Sequence, residues 1–409
     1  MILAAFALLG LAVPVAHAEP VSGYADIHIH LAAHLAVPIY GAGPDRDPPA
    51  NQTWNHALKP SLFASQLAES GVTLYVSLAY ANPFNTALET RSSMKARIDR
   101  QLDYVEAFAA RHADQFAWAR TPAEARADIA AGRIVIVHGI EGATKILSTP
   151  DDAAYWAHRG VAVVTPVHLA DNRLGGSFCM SGTLAMLNLP GCFRELLAPR
   201  HHGLTALGSD LVGDLLDDGV IVDLAHASPT TFDGLLALVK ARGKAPLYTH
   251  VVAQAVRDEA DEVTDRQLDA IYALGGLVGV TANHRNIAPK PALTSPPPGY
   301  CPRSVDDFRL QWDHVVGVVP GQPVAWGSDF QGGVAHLRPR YGPLGCADAR
   351  ADGAPLSAFD TLGLAHAGMV KPMFEQLVAE GANLAPLQAS AERFLEIWEL
   401  ARGERRAIP

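Results

Sequence analysis

Eight short runs rich in Val, Ile, Leu and Ala punctuate this chain, at residues 24–30, 72–79, 134–140, 161–168, 220–226, 247–250, 277–282 and 324–329. Most are apolar throughout, the pattern of strands covered on both faces in a parallel sheet. Helical patterns at 91–111, 122–131, 151–159, 205–218, 228–242, 265–274 and 304–318 separate them, and two more at 368–381 and 387–401 close the chain. A further helix is expected at 61–70. Strand and helix in alternation predict βα units with right-handed crossovers, and a count of eight predicts an α/β fold of the (β/α)8 TIM-barrel type. Three stretches exceed a bare barrel: 38–55, 175–202 and 289–301, the last containing Pro296, Pro297, Pro298 and Gly299. Each follows a strand, so each is expected as an extended loop on the catalytic face. The Pro-rich stretch reads equally well as a plain surface connection.

The ends of these runs carry the chemistry. Ala25-Asp26-Ile27-His28-Ile29-His30 places two imidazoles at i and i+2 of a strand, where they share a face. Glu141 follows the third run, His226 ends the fifth, His250 ends the sixth, and Asp329 ends the eighth. A lone strand-end histidine is usually a structural hydrogen bonder. Four of them with two carboxylates on one face imply a two-metal hydrolase site. A carboxylate bridging two ions about 3.5–4 Å apart leaves room for a shared hydroxide. Asp329 is then placed to act as general base toward that water and general acid toward a leaving amine. His34 reads as solvent-facing or as a neighbour of the ligands, and His138 as a hydrogen bonder of the core. Asp223 is placed to hold a backbone or a ring. Tyr248 and Trp326 read as barrel core. Asn283, in Asn283-His284-Arg285 after the seventh run, is placed for a polar substrate contact.

These segments resemble the membrane (renal-type) dipeptidases, peptidase family M19 of the amidohydrolase superfamily. The resemblance rests on Gly219-Val-Ile-Val-Asp-Leu-Ala-His226-Ala-Ser228, Ile140-Glu141-Gly142, Thr165-Pro-Val-His168-Leu-Ala-Asp171-Asn172, Gly203-Leu-Thr-Ala-Leu-Gly208 and Gly327-Ser-Asp329-Phe330-Gln-Gly332. It covers most of residues 24–401 and is most specific between Glu141 and His250. It implies two zinc ions per chain, one held by His28, His30 and Glu141 and the other by Glu141, His226 and His250. It also implies His168 as hydrogen-bond donor to the substrate carbonyl or its developing oxyanion. Two departures stand out. His30 occupies the position where the family usually has Asp. Ungapped counting also places Asp261 where the family has the arginine that clamps a free substrate carboxylate. Arg257 and Arg266 lie nearby, and Arg257 is the candidate substrate contact.

Composition sets the context. The chain has 409 residues, 49% of them hydrophobic and 18% charged, with a net charge of -10, and it lacks any basic run, which argues against nucleic acid as a partner. Residues 1–18 are apolar, are interrupted by Pro14, and end in Ala16-His17-Ala18, the pattern of a cleaved signal peptide. The expectation is a periplasmic or secreted protein without a stable membrane anchor, with residues 19–409 forming a single hydrolase domain. Export makes Cys179–Cys192 and Cys301–Cys346 the expected disulfides, the alternative being four buried thiols. The leading reading is hydrolysis of the amide bond of a small dipeptide-like substrate. The same site acting on a lactone, β-lactam or N-acyl amino acid is the first alternative, and a catalytically silent metal-bearing protein the second. A homodimer is left open.

Overall fold

Eight of the described helices begin with a Ser or Thr whose hydroxyl or capping box satisfies first-turn amides, and three of these caps are followed directly by Pro: Thr121-Pro122, Thr149-Pro150 and Ser228-Pro229. This Ser/Thr-Pro signal sets where the helices start, because the proline lacks the amide that a helix start leaves unpaired. The computed structural model describes residues 20–41, 43–54, 59–80, 89–179, 186–259 and 262–408. The expected signal peptide, Asp261 and parts of two of the long loops lie outside the described residues.

The strands are β1 (Tyr24–Ile29), β2 (Val72–Tyr80), β3 (Phe116–Trp118), β4 (Ile134–Glu141), β5 (Val161–Thr165), β6 (Ile221–Val222), β7 (Leu247–Val251), β8 (Leu277–Thr281) and β9 (Ala325–Gly327). They pair in the order β6-β5-β4-β2-β1-β9-β8-β7, and every pairing is parallel. A parallel bridge between Asp223 and Leu247 joins the two ends, which closes the eight-stranded (β/α)8 barrel. The short β3 lies off this ring and pairs with the start of β4.

All eight expected runs form barrel strands, but three stop early. β5 ends at Thr165 rather than near His168, β6 at Val222 rather than His226, and β9 at Gly327 rather than Asp329. The reason is local: His226 and Asp329 have φ values of 63° and 54°, left-handed backbone that a strand cannot contain. Strand β3 is a further difference, and residues 175–202 contain a helix, Leu189–Leu197, where a loop was expected. Cys179–Cys192 and Cys301–Cys346 are both bonded, and no free cysteine remains among the described residues.

One apolar cluster takes residues from all eight barrel strands, among them Ile27, Val76, Val137, Val163, Ile221, Leu247, Leu277 and Ala325. The helix Ser390–Ala401 seals it with Phe394 and Trp398. A second layer, between sheet and helices, is built on Tyr75, Phe108, Phe232, Phe308, Trp312, Trp326 and Phe374. With the N-terminal end plugged, the C-terminal ends of the strands are left for the site. No helix among the described residues is long and apolar enough to cross a membrane.

Candidate metal centre

Strand ends bring His28, His30, Glu141, His168, His226, His250 and Asp329 to one place. Glu141, the last residue of β4, is the hub. Its Oε1 lies 3.0 Å from His226 Nε2 and 3.4 Å from His28 Nε2, and its Oε2 lies 3.5 Å from His168 Nε2 and 3.6 Å from His30 Nε2. Asp329 Oδ1 is 3.2 Å from His30 Nε2 and 3.8 Å from His28 Nε2. The His250 ring packs 4.1 Å from that of His28 and 4.8 Å from that of His226.

The donor set fits a metal. His30 Nδ1 donates to the Leu78 carbonyl at 3.0 Å, and His28 Nδ1 lies 2.7 Å from Thr249 Oγ1. Their Nε2 atoms are buried, have no hydrogen-bond partner, and turn toward Glu141. An imidazole bonded through one nitrogen, with a buried lone pair on the other, is the arrangement of a metal ligand. Two groups are compact enough to hold an ion: His28, His30 and Glu141, and Glu141, His168 and His226. In the second group His168 stands where the resemblance implied His250, although His250 lies alongside.

Electrostatics divide the residues. Burial alone would push Glu141 up, but the imidazoles of His168 and His28 and the hydrogen bond from His226 hold it well below the usual carboxylate range. Burial lowers His28 too, yet the Glu141 and Asp329 carboxylates outweigh it and raise His28 to about 9. Burial dominates for His168, lowered to about 3, and for His250, lowered well below the ordinary value. Carboxylate attraction and burial thus oppose each other at His28, whereas burial governs His168.

Two site residues hold left-handed backbone, His226 and Asp329. Such strain persists only where the surroundings impose it. For Asp329 the Phe330–Gly332 turn does so, and a Cβ on Gly332 would run into the Asp329 carboxylate. For His226, the Phe178 ring stacks on the imidazole at 5.4 Å and 11°, and the Phe178 amide donates to the His226 carbonyl at 2.9 Å. The neighbouring Ser177 hydroxyl bonds the carbonyls of both His168 and His226. The Cys179–Cys192 loop therefore holds two site histidines by their backbones.

The remaining candidates have other placements. Asn283 Oδ1 accepts from the Arg285 amide and shapes a turn. Arg257 donates to Glu259 at 2.8 Å and to the Ala288 carbonyl at 3.1 Å, with Glu262 at 3.5 Å. Arg266 is exposed beside Asp233. His34 packs on Tyr104, and His138 pairs with Glu106 inside the barrel wall, as a core hydrogen bonder should. Sequence reasoning missed Thr249, Ser177 and Tyr80, whose ring meets His30 at 5.0 Å. Only the Thr249–His250 adjacency offered a signal.

A family model for membrane dipeptidases, peptidase family M19, matches residues 27–338. Dipeptidase verJ of Clonostachys rogersoniana is 26% identical over 233 residues, 57% of this chain and 52% of its own length. That match thus spans about half of the curated relative. Among solved structures, the dipeptidase AC of family M19 superposes with a TM-score of 0.67 at 19% identity, covering 94% of this chain and 100% of its own. A metallo peptidase from Rhodobacter sphaeroides, liganded with a phosphinate mimic of the dipeptide L-Ala-D-Ala, gives 0.65 at 19% identity over 93% and 99%. At these identities the structural likeness speaks for the fold, and the family match, across most of the chain and through every residue of the centre, for descent: this chain belongs to the membrane dipeptidase family, peptidase family M19.

Proposed function

We propose that the chain is a metal-dependent hydrolase that cleaves the amide bond of a small dipeptide-like substrate. The observation that carries this reading is the pair of buried, unpartnered Nε2 atoms of His28 and His30 facing Glu141. Glu141 would be shared by two zinc-class ions, with His28 and His30 to hold one and His226 and His250 to hold the other. Such a pair supplies activation of water near neutral pH and polarisation of the scissile carbonyl. Asp329 takes the proton from the attacking water and delivers it to the leaving amine nitrogen. His168, kept neutral by burial, donates a hydrogen bond to the carbonyl oxygen and follows its charge as the carbon becomes tetrahedral. Both disulfides suit export, with residues 1–18 removed and 19–409 acting as one domain in the periplasm or outside the cell.

A second reading keeps the site and changes the substrate to a lactone, β-lactam or N-acyl amino acid. What favours it is Arg257, already engaged by Glu259 and Glu262 and so a poor clamp for a free carboxylate. One experiment separates the readings: metal content by elemental analysis, followed by turnover of L,L- and L,D-dipeptides, their C-terminal amides, lactones and N-acyl amino acids. Two ions with dipeptide turnover support the first reading. Two ions with turnover of the other classes alone support the second. A protein that binds no metal overturns both.

A further inference from the structure

Thr249 lies in β7, wholly buried, and its hydroxyl oxygen is 2.7 Å from His28 Nδ1 and 3.2 Å from His250 Nδ1. The same hydroxyl donates to Asp223 Oδ2 at 2.8 Å. Asp223, equally buried just past β6, accepts three further hydrogen bonds: Thr165 Oγ1 at 2.7 Å, the Thr249 amide at 3.0 Å and the Ala225 amide at 3.1 Å. Each of its oxygens thus faces two donors.

Counting protons gives the network a direction. A hydroxyl has one hydrogen and two lone pairs. With its hydrogen given to Asp223, Thr249 offers only lone pairs to the two imidazoles, so each must present Nδ1–H. Each ring is then left with an unprotonated Nε2, the form able to bind a metal. We infer that Thr249, oriented by Asp223, is a positioning residue that sets the tautomer of His28 and His250 together, one from each side of the centre. The inference rests on the metal reading above and adds a coupling to it. Metal-binding histidines commonly donate to a carboxylate or carbonyl, one partner each. Here a single hydroxyl serves two rings, one on β1 and one on β7.

The test uses the full-length protein with histidine ring nitrogens labelled, comparing Thr249→Val, Thr249→Ser and Asp223→Asn. In metal-free wild type at pH 10, above the raised titration of His28, nitrogen chemical shifts should report Nδ1–H for both neutral rings. Thr249→Val, nearly isosteric, should release that preference and weaken zinc binding, measured by chelator competition, by about 10–100-fold at both sites. Thr249→Ser should restore both properties. Asp223→Asn reverses the polarity: its amide donates where the carboxylate accepted, the Thr249 hydrogen turns to an imidazole, and one ring should switch to Nε2–H. A Thr249→Val protein with unchanged tautomers and zinc affinity overturns the inference, as does wild type with Nε2–H on either ring. If Thr249→Val does not fold, the wild-type tautomers and the Asp223→Asn switch decide. Wild type with the expected tautomers that binds fewer than two ions overturns the two-metal reading and leaves the relay standing.

Discussion

Glu141 has four imidazole nitrogens within 3.6 Å and almost no exposure to solvent. A buried carboxylate is costly unless opposing charge surrounds it, and here histidines provide that charge where metal would also provide it. Glu141→Gln keeps the shape and removes the charge. It should lower occupancy of both ions together, read by elemental analysis after loading. Loss of one ion alone would show that Glu141 is not shared. Asp329 has a different dependence. It is held by backbone, with its amide donating to the His28 carbonyl at 2.8 Å. Asp329→Asn should cut kcat by about 10²–10⁴-fold with metal content close to wild type. A variant that loses metal but keeps its rate per bound ion would move the proton-transfer role to His168.

At the scale of elements, the Cys179–Cys192 disulfide anchors the segment that touches the centre. Cys179 directly follows Phe178, which stacks on His226, and the bond closes a separation of 13 residues. A closure of that size contributes about 3 kcal/mol in the chain-entropy view. The Cys179→Ser/Cys192→Ser pair should lower the denaturation midpoint accordingly and reduce kcat/KM, since His226 loses its stacking partner. A variant with lower stability and unaltered kcat/KM would confine the loop to a structural role. The barrel and the cluster at its strand ends were legible in sequence because apolar runs ending in His, Glu or Asp survive as a one-dimensional pattern. Three features were not. Phe116–Trp118 is too short to show a period. The helix Leu189–Leu197 is hidden in a stretch read as loop from its Gly and Pro content. Ser177 reaches His168 across 9 positions and Thr249 reaches His28 across 221, links that no local pattern encodes. That Asn283 Oδ1 also takes the Arg285 amide and shapes a turn was not legible either, since a residue type at a strand end does not disclose where its side chain turns.

For the molecule as a whole, acid is the condition to which the fold is most exposed. Burial holds His336 and His366 at about 4, so both are neutral when folded near pH 5, and it lowers His138 as well. Their unfolded forms protonate near pH 6.5, so below that value the unfolded chain binds more protons. The contribution to stability is fully present above about 6.5 and is lost as pH falls toward 4. Urea midpoints of chelator-treated protein should therefore drop between pH 7.5 and 5, and His336→Gln should flatten the slope. An unchanged slope would show that His336 is accommodated in its charged form. Metal-loaded protein should fall more steeply, because the ligand histidines take up protons as they release the ions.

The barrel is a hoop whose ends meet at a thin join. Between β2 and β4 the register runs unbroken from Leu74–Val135 to Tyr80–Glu141, whereas β6 and β7 meet at the Asp223–Leu247 bridge and the Leu224 amide on the Leu247 carbonyl. His226 hangs from one side of that join and His250 from the other. An ion gripped by both, as proposed above, would act as a clasp, and metal uptake and ring closure would become a single event. Amides around 221–226 and 247–251 should exchange hydrogen faster than those of β2 and β4 in stripped protein, and slow selectively when zinc is restored. Uniform slowing over the whole barrel would mean that the ring holds shut unaided.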